Sequence, residues 1–352
     1  MKRKKVDSNL YQIDDWSKID RTIVSIIIPM YNAERYIVEC LKSCSQQSYT
    51  AFQIVLVDDN SNDNSVGVAK DFLKNKKNLN CIIIRKNVNT GVSSSRNLGM
   101  KYAKGKYLYF LDADDILDEY ALEILIKIAE EEECKLVFGK YRRFVNSDEI
   151  ITNNQMSKTA YKIKKIDIDY SQLQERVYAG TIWGGLILSE IVKKNELQFD
   201  EELSYGEDTL FKLNLLKYVE YLVEVDCQTY WWRIRPDSLS ARVDIMEQIE
   251  REVPLLEKTR KILIDNREYN PKWSCLLIKY FRAKKNAVYR MCINDPIGKR
   301  TSLPIDGINI PVKEIVSSKY YKRNILELIY SVFPFLDKWR IQKYLFFICY
   351  KK

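Results

Sequence analysis

The chain has no histidine among its 352 residues. That absence removes Ser-His-Asp and Cys-His nucleophilic catalysis, histidine general bases and histidine-ligated zinc. Acid–base chemistry is left to Asp, Glu, Lys, Tyr and Cys, and a metal would be held mainly by oxygen, which favours Mg²⁺ or Mn²⁺. The cysteines are Cys40, Cys44, Cys81, Cys134, Cys227, Cys275, Cys292 and Cys349, and no C-x-x-C pair occurs. Several lie inside apolar runs, as in Cys81-Ile82-Ile83-Ile84, the pattern of buried, reduced thiols in a cytoplasmic protein. There is no run of 18 apolar residues, which argues against a spanning helix. The basic start Met1-Lys2-Arg3-Lys4-Lys5 leads into no apolar stretch, so it is not read as a secretory signal. Neither a G-x-G-x-x-G nor a P-loop pattern is present. No internal repeat interrupts the chain.

What is present is ordinary for a folded protein: 46% apolar and 30% charged residues, which sets disorder aside. The length allows one large domain and a smaller one. The formal net charge of +9 suits a polyanion, an anionic membrane face or a phosphate-bearing ligand without choosing among them.

Residues 1–22 are polar and charged and read as a loose arm. Short apolar, largely β-branched runs follow at Val24–Ile28, Ile54–Val57, Cys81–Ile84, Tyr107–Leu111 and Leu136–Phe138. Helical stretches separate them, at about 33–47, 65–74, 93–103 and 119–133. Alternation of this kind predicts a mostly parallel sheet with helices on both faces. Ligands of such sheets bind beyond the carboxyl ends of the strands. Past about residue 145 the pattern is irregular, with a helix predicted after the patch Thr181-Ile182-Trp183-Gly184-Gly185 and a helical run over 209–218. From about 245 the chain reads as helical, basic and aromatic, and a domain boundary is placed there.

Three acidic groups stand where chemistry is expected. Asp112 and Asp114 follow the fourth strand, and two carboxylates there can hold a hard cation that bridges a bound diphosphate. An acidic turn that ends a strand and caps the next helix would look the same. Asp58-Asp59 ends the second strand, and turn chemistry again explains it equally well. Glu207-Asp208 opens a helix after Gly206. It either complements the helix dipole or supplies the general base that takes a proton from an attacking hydroxyl. Arg96, Arg233 and Arg235 could clamp phosphates or lie as solvated charges. Trp183 and Tyr230-Trp231-Trp232 could stack on a sugar ring or fill the core.

Five motifs then occur in order: Pro29-Met30-Tyr31-Asn32, Val57-Asp58-Asp59-Asn60-Ser61-x-Asp63, Gly91-Val92-x-x-x-Arg96-Asn97-x-Gly99, Asp112-Ala113-Asp114-Asp115 and Gly206-Glu207-Asp208. Over about residues 23–240 the chain resembles the family 2 glycosyltransferases, in particular the bacterial members that build capsule, exopolysaccharide or wall polymers. The resemblance implies a GT-A catalytic domain over 23–245 with a mainly helical region over 246–352. It implies an inverting transfer from a nucleotide-diphospho-sugar, often a UDP-sugar, to a hydroxyl of a glycan or lipid-linked acceptor, with no nucleic-acid partner. Carried over by position, Pro29 and Tyr31 would line the base pocket and Asp59 would hydrogen-bond the base. Asn89 and Arg96 would contact the nucleotide, and Asp112, in the Asp112-Ala113-Asp114 donor-binding turn, the ribose. Asp114 would ligate Mn²⁺ or Mg²⁺, and Asp208 would be the catalytic base with Glu207 beside it. Arg233 and Ser238 resemble the loop that closes over the diphosphate. Some relatives place a histidine in that loop as a further metal ligand; this chain has none.

The tail from Leu326 to Lys352 mixes apolar and basic residues, and Ile341, Tyr344, Leu345 and Ile348 could share one helical face. It reads either as a helix packed on the catalytic domain or as a basic amphipathic segment on the cytoplasmic face of the membrane. Two other classes stay open: a nucleotidyltransferase, in which Glu207-Asp208 would have no role, and a non-catalytic binding or assembly subunit, which would not need both Asp114 and Asp208.

Overall fold

The computed structural model describes residues 11–16, 22–76, 79–151, 161–168, 181–235 and 245–265. The chain forms two compact units, Met1–Asp167 with Glu175–Arg242, and Ile168–Gln174 with Val243–Lys352. The first unit contains β1 (Tyr11–Asp15), β2 (Val24–Met30), α1 (Ile37–Ser45), β3 (Phe52–Asp58), α2 (Ser65–Lys74), β4 (Cys81–Lys86), α3 (Val92–Tyr102), β5 (Tyr107–Phe110), β6 (Ile116–Leu117), α4 (Ala121–Glu131), β7 (Leu136–Phe144), α5 (Asp148–Ile151), β8 (Ile163–Asp167), β9 (Gly185–Leu188), α6 (Ser189–Lys194), α7 (Glu207–Leu216) and β10 (Tyr221–Arg233). The described part of the second unit includes one helix, α8 (Ile245–Asp265).

The strands form one sheet in the order β1-β4-β3-β2-β5-β9-β7-β10-β6, with β8 paired to β10. Strands β4, β3, β2 and β5 are parallel neighbours, as the apolar runs predict. Their carboxyl ends therefore share one edge. Beyond β5 the sheet is mixed. β9 runs antiparallel to both β5 and β7, and β10 runs parallel to β7. Two reversals around β9 return β10 to the direction of β5. The end of β10, at Arg233, thus reaches the edge where Asp112 and Asp114 follow β5.

The central strands are apolar on both faces because both faces are covered. Ile26, Ile27 and Ile28 are wholly buried, and each contributes about 1.5–3 kcal/mol by leaving water. Val24, Ile26 and Ile28 join Ile54, Leu56, Ile37 and Leu41 of α1, Leu73 of α2 and Leu125 of α4 in one core cluster. On the opposite face α3 lies close to β2, and Gly99 permits it: a Cβ there would come within 2.5 Å of Ile27 Cγ2. Phe110 packs edge-on against Phe199 and Phe211.

Three local expectations are corrected. Residues 11–15, inside the expected loose arm, form an antiparallel edge strand on β4; the alternating Tyr11-Gln12-Ile13 places half-buried side chains against it. The first helix begins at Ile37 and not near Ala33, because residues 31–34 are occupied in a loop. The stretch after Trp183 is strand β9 before it becomes helix α6. The predicted tail motif, Ile341, Tyr344, Leu345 and Ile348, lies outside the described residues. No helix among the described residues is long and apolar enough to cross a membrane. Cys40, Cys44, Cys81, Cys134 and Cys227 are all free thiols, the first four buried.

Candidate active site

The loops after β2 and β3 are laced together, which explains why Asn32, Ser61 and Asp63 recur as a pattern. Asn32 N–H donates to Ser61 Oγ (2.9 Å), Ala33 N–H to Ser65 Oγ (2.7 Å) and Glu34 N–H to Asp63 Oδ2 (3.0 Å). Asn62 N–H returns a bond to Asn32 Oδ1 (2.9 Å). Asn32 and Asn60 both take positive φ values, 49° and 62°, a conformation Asn tolerates better than most residues. Pro29 is buried in β2, and Tyr31 projects from the strand end with 47% of its surface exposed. An open aromatic at this edge can face a flat ligand.

Asp58 and Asp59 diverge in role. Asp58 is buried and accepts from Ser61 N–H, with Arg85 Nε at 3.4 Å; burial raises its pKa against these partners. Asp59 fixes the loop that follows β4. Its Oδ1 accepts from Lys86 Nζ (2.5 Å) and Thr90 N–H (3.0 Å), and its Oδ2 from Gly91 N–H (2.8 Å). A carboxylate offers about four acceptor positions, and these three donors take most of them. Asn89 Oδ1 accepts from Gly91 N–H at 3.2 Å, in the same exposed loop. Lys86, almost fully buried, was not singled out from sequence; a cation ending an apolar strand gives no signal of the carboxylate it meets 27 residues away.

Arg96 is not a surface charge. It is buried on α3, where Nη1 donates to Glu207 Oε1 (3.0 Å) and Asp208 Oδ1 (2.5 Å), and Nη2 donates to Asp112 Oδ1 (3.0 Å). Burial alone would lower its pKa, but Asp208, Asp112 and Glu207 together override that and keep it charged. Phe199 lies beneath the guanidinium at 5.3 Å. One arginine thus joins the turn after β5 to the start of α7. Gly206 permits the junction with φ 78°, a left-handed conformation that a side chain would strain. Glu207 and Asp208 then form the first turn of α7. Burial pushes the Asp208 carboxyl up to about 7; Arg96 opposes the shift, while Glu207 and Asp112 add to it.

Beyond Asp112 the turn is gripped by the end of β10. Tyr230 Oη donates to Asp115 Oδ2 (2.5 Å) and accepts from Asp112 N–H (3.3 Å). Arg233 N–H donates to Asp115 Oδ1 (2.7 Å) and its Nε to the Asp114 carbonyl (2.8 Å). Its remaining nitrogens meet Glu39 and the Val145 carbonyl. Arg233 is therefore spent on shaping the Asp112–Asp115 turn. Ala113 is buried between the two acids. Asp114 faces Arg235, whose Nε is 2.8 Å from Oδ2. Burial raises the Asp114 pKa, as does Asp112, and Arg235 counters them.

Asp114 can be tested as a seat for a hard cation. Its donor is a carboxylate oxygen, the ligand such an ion takes, and a cationic side chain already stands beside it. The residues fit, with Asp114 as ligand. Among the described residues no group of three or more Cys, Asp or Glu is placed to hold a metal by itself, so a ligand's phosphates and water would complete the shell. Trp183 stacks on Tyr230 (4.4 Å, 15°) and both are buried, which makes them core. Tyr141, edge-on to Trp183 at 5.1 Å, stays 41% exposed. Ser238 lies outside the described residues.

The acidic turn after β5 and the acidic pair that opens α7 thus meet at Arg96, at the carboxyl edge of the parallel strands. Residues 25–187 match the model for "Glycosyl transferase family 2", and this segment is a domain of that family. Among curated proteins it is similar to the glycosyltransferase EpsJ of Bacillus subtilis, 29% identical over 219 residues, covering 62% of this chain and 63% of EpsJ. It spans under half the length of several other curated relatives. Among solved structures it is similar to residues 1–349 of Staphylococcus aureus TarS in complex with UDP, with a TM-score of 0.62, 19% identity and coverage of 88% and 87% of the two chains. It is also similar to the mannosyltransferase PcManGT of Pyrobaculum calidifontis in complex with GDP-Man and Mn²⁺, with a TM-score of 0.56, 15% identity and coverage of 89% and 85%. At these identities the two structures establish the GT-A fold alone.

Proposed function

We propose that the protein is an inverting glycosyltransferase that moves a sugar from a nucleotide-diphospho-sugar, a UDP-sugar in our reading, to a hydroxyl of a glycan or lipid-linked acceptor in bacterial surface-polymer synthesis. One observation carries this reading: Asp208 sits across Arg96 from Asp112, so a base at the helix start faces the turn suited to a diphosphate. Asp208 takes the proton of the acceptor hydroxyl. The freed oxygen bonds to the anomeric carbon as the bond to the diphosphate breaks, and the electron pair leaves with the diphosphate. Tyr31 and Asp59 line the base end, while Asp112 meets the ribose. Asp114 would hold Mn²⁺ or Mg²⁺, which neutralises charge on the leaving diphosphate. Arg233 holds the turn's shape. Residues 23–245 are the catalytic domain in this reading. The region from 246 onward serves the acceptor or lies peripherally at the cytoplasmic membrane face.

The acidic pair at α7 supports transfer over nucleotidyl transfer, because an enzyme that only exchanges phosphates has no use for a base facing that turn. The test is release of nucleoside diphosphate from UDP-, GDP- and dTDP-sugars, with and without Mn²⁺, in the wild type and in Asp114→Ala. Metal-dependent release from one donor, absent in the variant, supports the reading. No release together with no metal-dependent nucleotide binding would overturn it in favour of a non-catalytic role.

A further inference from the structure

The two arginines at the end of β10 differ in how their donors are used. Arg233 is locked: its backbone N–H, Nε and both Nη atoms meet Asp115, the Asp114 carbonyl, Glu39 and the Val145 carbonyl. Its guanidinium also lies over Phe144 at 4.4 Å. Arg235, two residues on, is loosely held. Its Nε comes within 2.8 Å of Asp114 Oδ2, yet the buried Nε–H makes no hydrogen bond of good geometry. The pair is thus held by charge and not by a directed bond, and about a quarter of the Arg235 side chain is exposed. The Tyr36 ring, 5.1 Å away, supports it from one side.

Resting on the function proposed above, we infer that Arg235 is an exchangeable cation: it occupies the seat of the metal at Asp114 until donor binds, then leaves for the diphosphate. A guanidinium at Asp114 Oδ2 repels a divalent ion that approaches the same carboxylate, and this offsets much of the attraction the ion gains there. A divalent ion at Asp114 therefore competes with the guanidinium. Arg235 is the described arginine of this turn that can leave, since breaking its poorly aimed contact forfeits little. A displaced guanidinium finds in the diphosphate a planar match for its fork of N–H groups. Metal and nucleotide binding then become coupled through one side chain. Without nucleotide the displaced cation moves only into water; with nucleotide, it gains a partner. The absence of histidine fits this arrangement, since no imidazole is available to strengthen the metal seat by itself. Arg235 is a positioning residue in this account, and the proton transfer does not involve it.

The experiment measures two bindings in the full chain. Free Mn²⁺ is followed by electron paramagnetic resonance without nucleotide, and UDP affinity by calorimetry with and without Mn²⁺. The proteins are the wild type, Arg235→Gln, Arg235→Lys and Asp114→Asn, each checked by thermal melting. If the wild-type seat is filled by Arg235 about nine-tenths of the time, Arg235→Gln should tighten Mn²⁺ alone by about tenfold, since apparent affinity scales with the competent fraction. The same variant should weaken UDP in the presence of Mn²⁺ by a similar factor, and Asp114→Asn should abolish Mn²⁺ binding. Arg235→Lys, which keeps the charge, should show smaller shifts in the same directions and serves if the glutamine variant does not fold. Unchanged Mn²⁺ affinity in the Arg235 variants overturns the proposal, as does tighter Mn²⁺ with unaltered UDP affinity. Should the wild type bind no UDP at all, the function reading fails, while the Mn²⁺ measurements still decide whether Arg235 holds the seat.

Discussion

Asp208 Oδ1 lies 2.5 Å from Arg96 Nη1, joining the start of α7 to a residue 112 positions earlier. The contact gives the carboxylate one strong donor, the Ile182 backbone adds a hydrogen bond, and little of the group meets water. Burial is the larger influence, and the pKa stands at about 7. A base near neutrality both accepts a proton readily and is present in its working form. Asp208→Asn should therefore keep UDP affinity within a few-fold and lower turnover by about 10²–10⁴. Nucleoside diphosphate release at saturating donor and acceptor is the readout. Full turnover in the variant would remove Asp208 as the base.

The same group makes a signed prediction in pH. The base must be deprotonated, so kcat/KM should fall as pH drops through about 7. Stability moves the other way. Burial raises the folded pKa above the ordinary carboxylate value, so the unfolded chain gives up this proton first. The native state's advantage is complete below the unfolded value and is lost as pH rises through about 7. Asp208→Asn does not titrate, so its melting temperature relative to wild type should be higher at about pH 8 than at about pH 6. A difference that is flat in pH would place the Asp208 pKa outside this window.

Arg96 pairs with three carboxylates while almost wholly buried. Removing one side of a buried ionic group leaves charge uncompensated, which costs about 3–5 kcal/mol. Arg96→Ala should lose stability on that scale by denaturant unfolding. The loss should shrink in acid, where the stranded carboxylates can take up protons. Arg96→Lys should recover only part, because an ammonium cannot serve the same three oxygens in one plane. Equal loss at acid and neutral pH would mean that packing over Phe199, not charge, explains the residue.

How much of this was legible in the sequence follows from distance along the chain. The strands β2 to β5 were visible because each is a continuous apolar run whose burial depends on nothing else. Strand β9 was not: Gly185-Leu-Ile-Leu runs straight into α6, and a short apolar run beside a helix has no period of its own. Strand β1 was hidden by its charges, since Asp14 and Asp15 resemble a solvated arm until β4 pairs with them. In the site, Asp112, Asp114 and Asp208 were readable as acids at element ends. Arg96 and Arg233 were readable as ligand contacts but not as braces, because their partners lie 16 to 194 residues away. Tyr230 looked like a sugar platform, and only the sheet order shows that its ring is core and its hydroxyl a turn clamp.

The loop 89–91 should depend on Asp59 for its shape. Asp59 accepts from Lys86 and from two successive backbone N–H groups. Asp59→Ala removes all three bonds and strands Lys86 in a buried position. Amide exchange at Thr90 and Gly91 should accelerate in the variant even without ligand, and UDP affinity should drop with it. If exchange there is unchanged while UDP binding is lost, Asp59 acts on the base alone.

Tyr230 offers the finest test of the turn. Its hydroxyl lies between Asp115 and the Asp112 N–H, and Asp115 is buried with a pKa raised by burial, then by Asp114 and Asp112. Tyr230→Phe keeps the ring stacked on Trp183 and deletes one oxygen. The buried carboxyl then retains Arg233 N–H as its described protein partner, and a stranded polar group of this kind costs about 1–3 kcal/mol. Thermal or denaturant unfolding should show that loss. Mn²⁺-dependent UDP binding should weaken more than binding without metal, because Asp112 and Asp114 ride on the turn that Tyr230 clamps. Equal weakening with and without Mn²⁺ would assign the hydroxyl to stability alone and detach it from the metal seat.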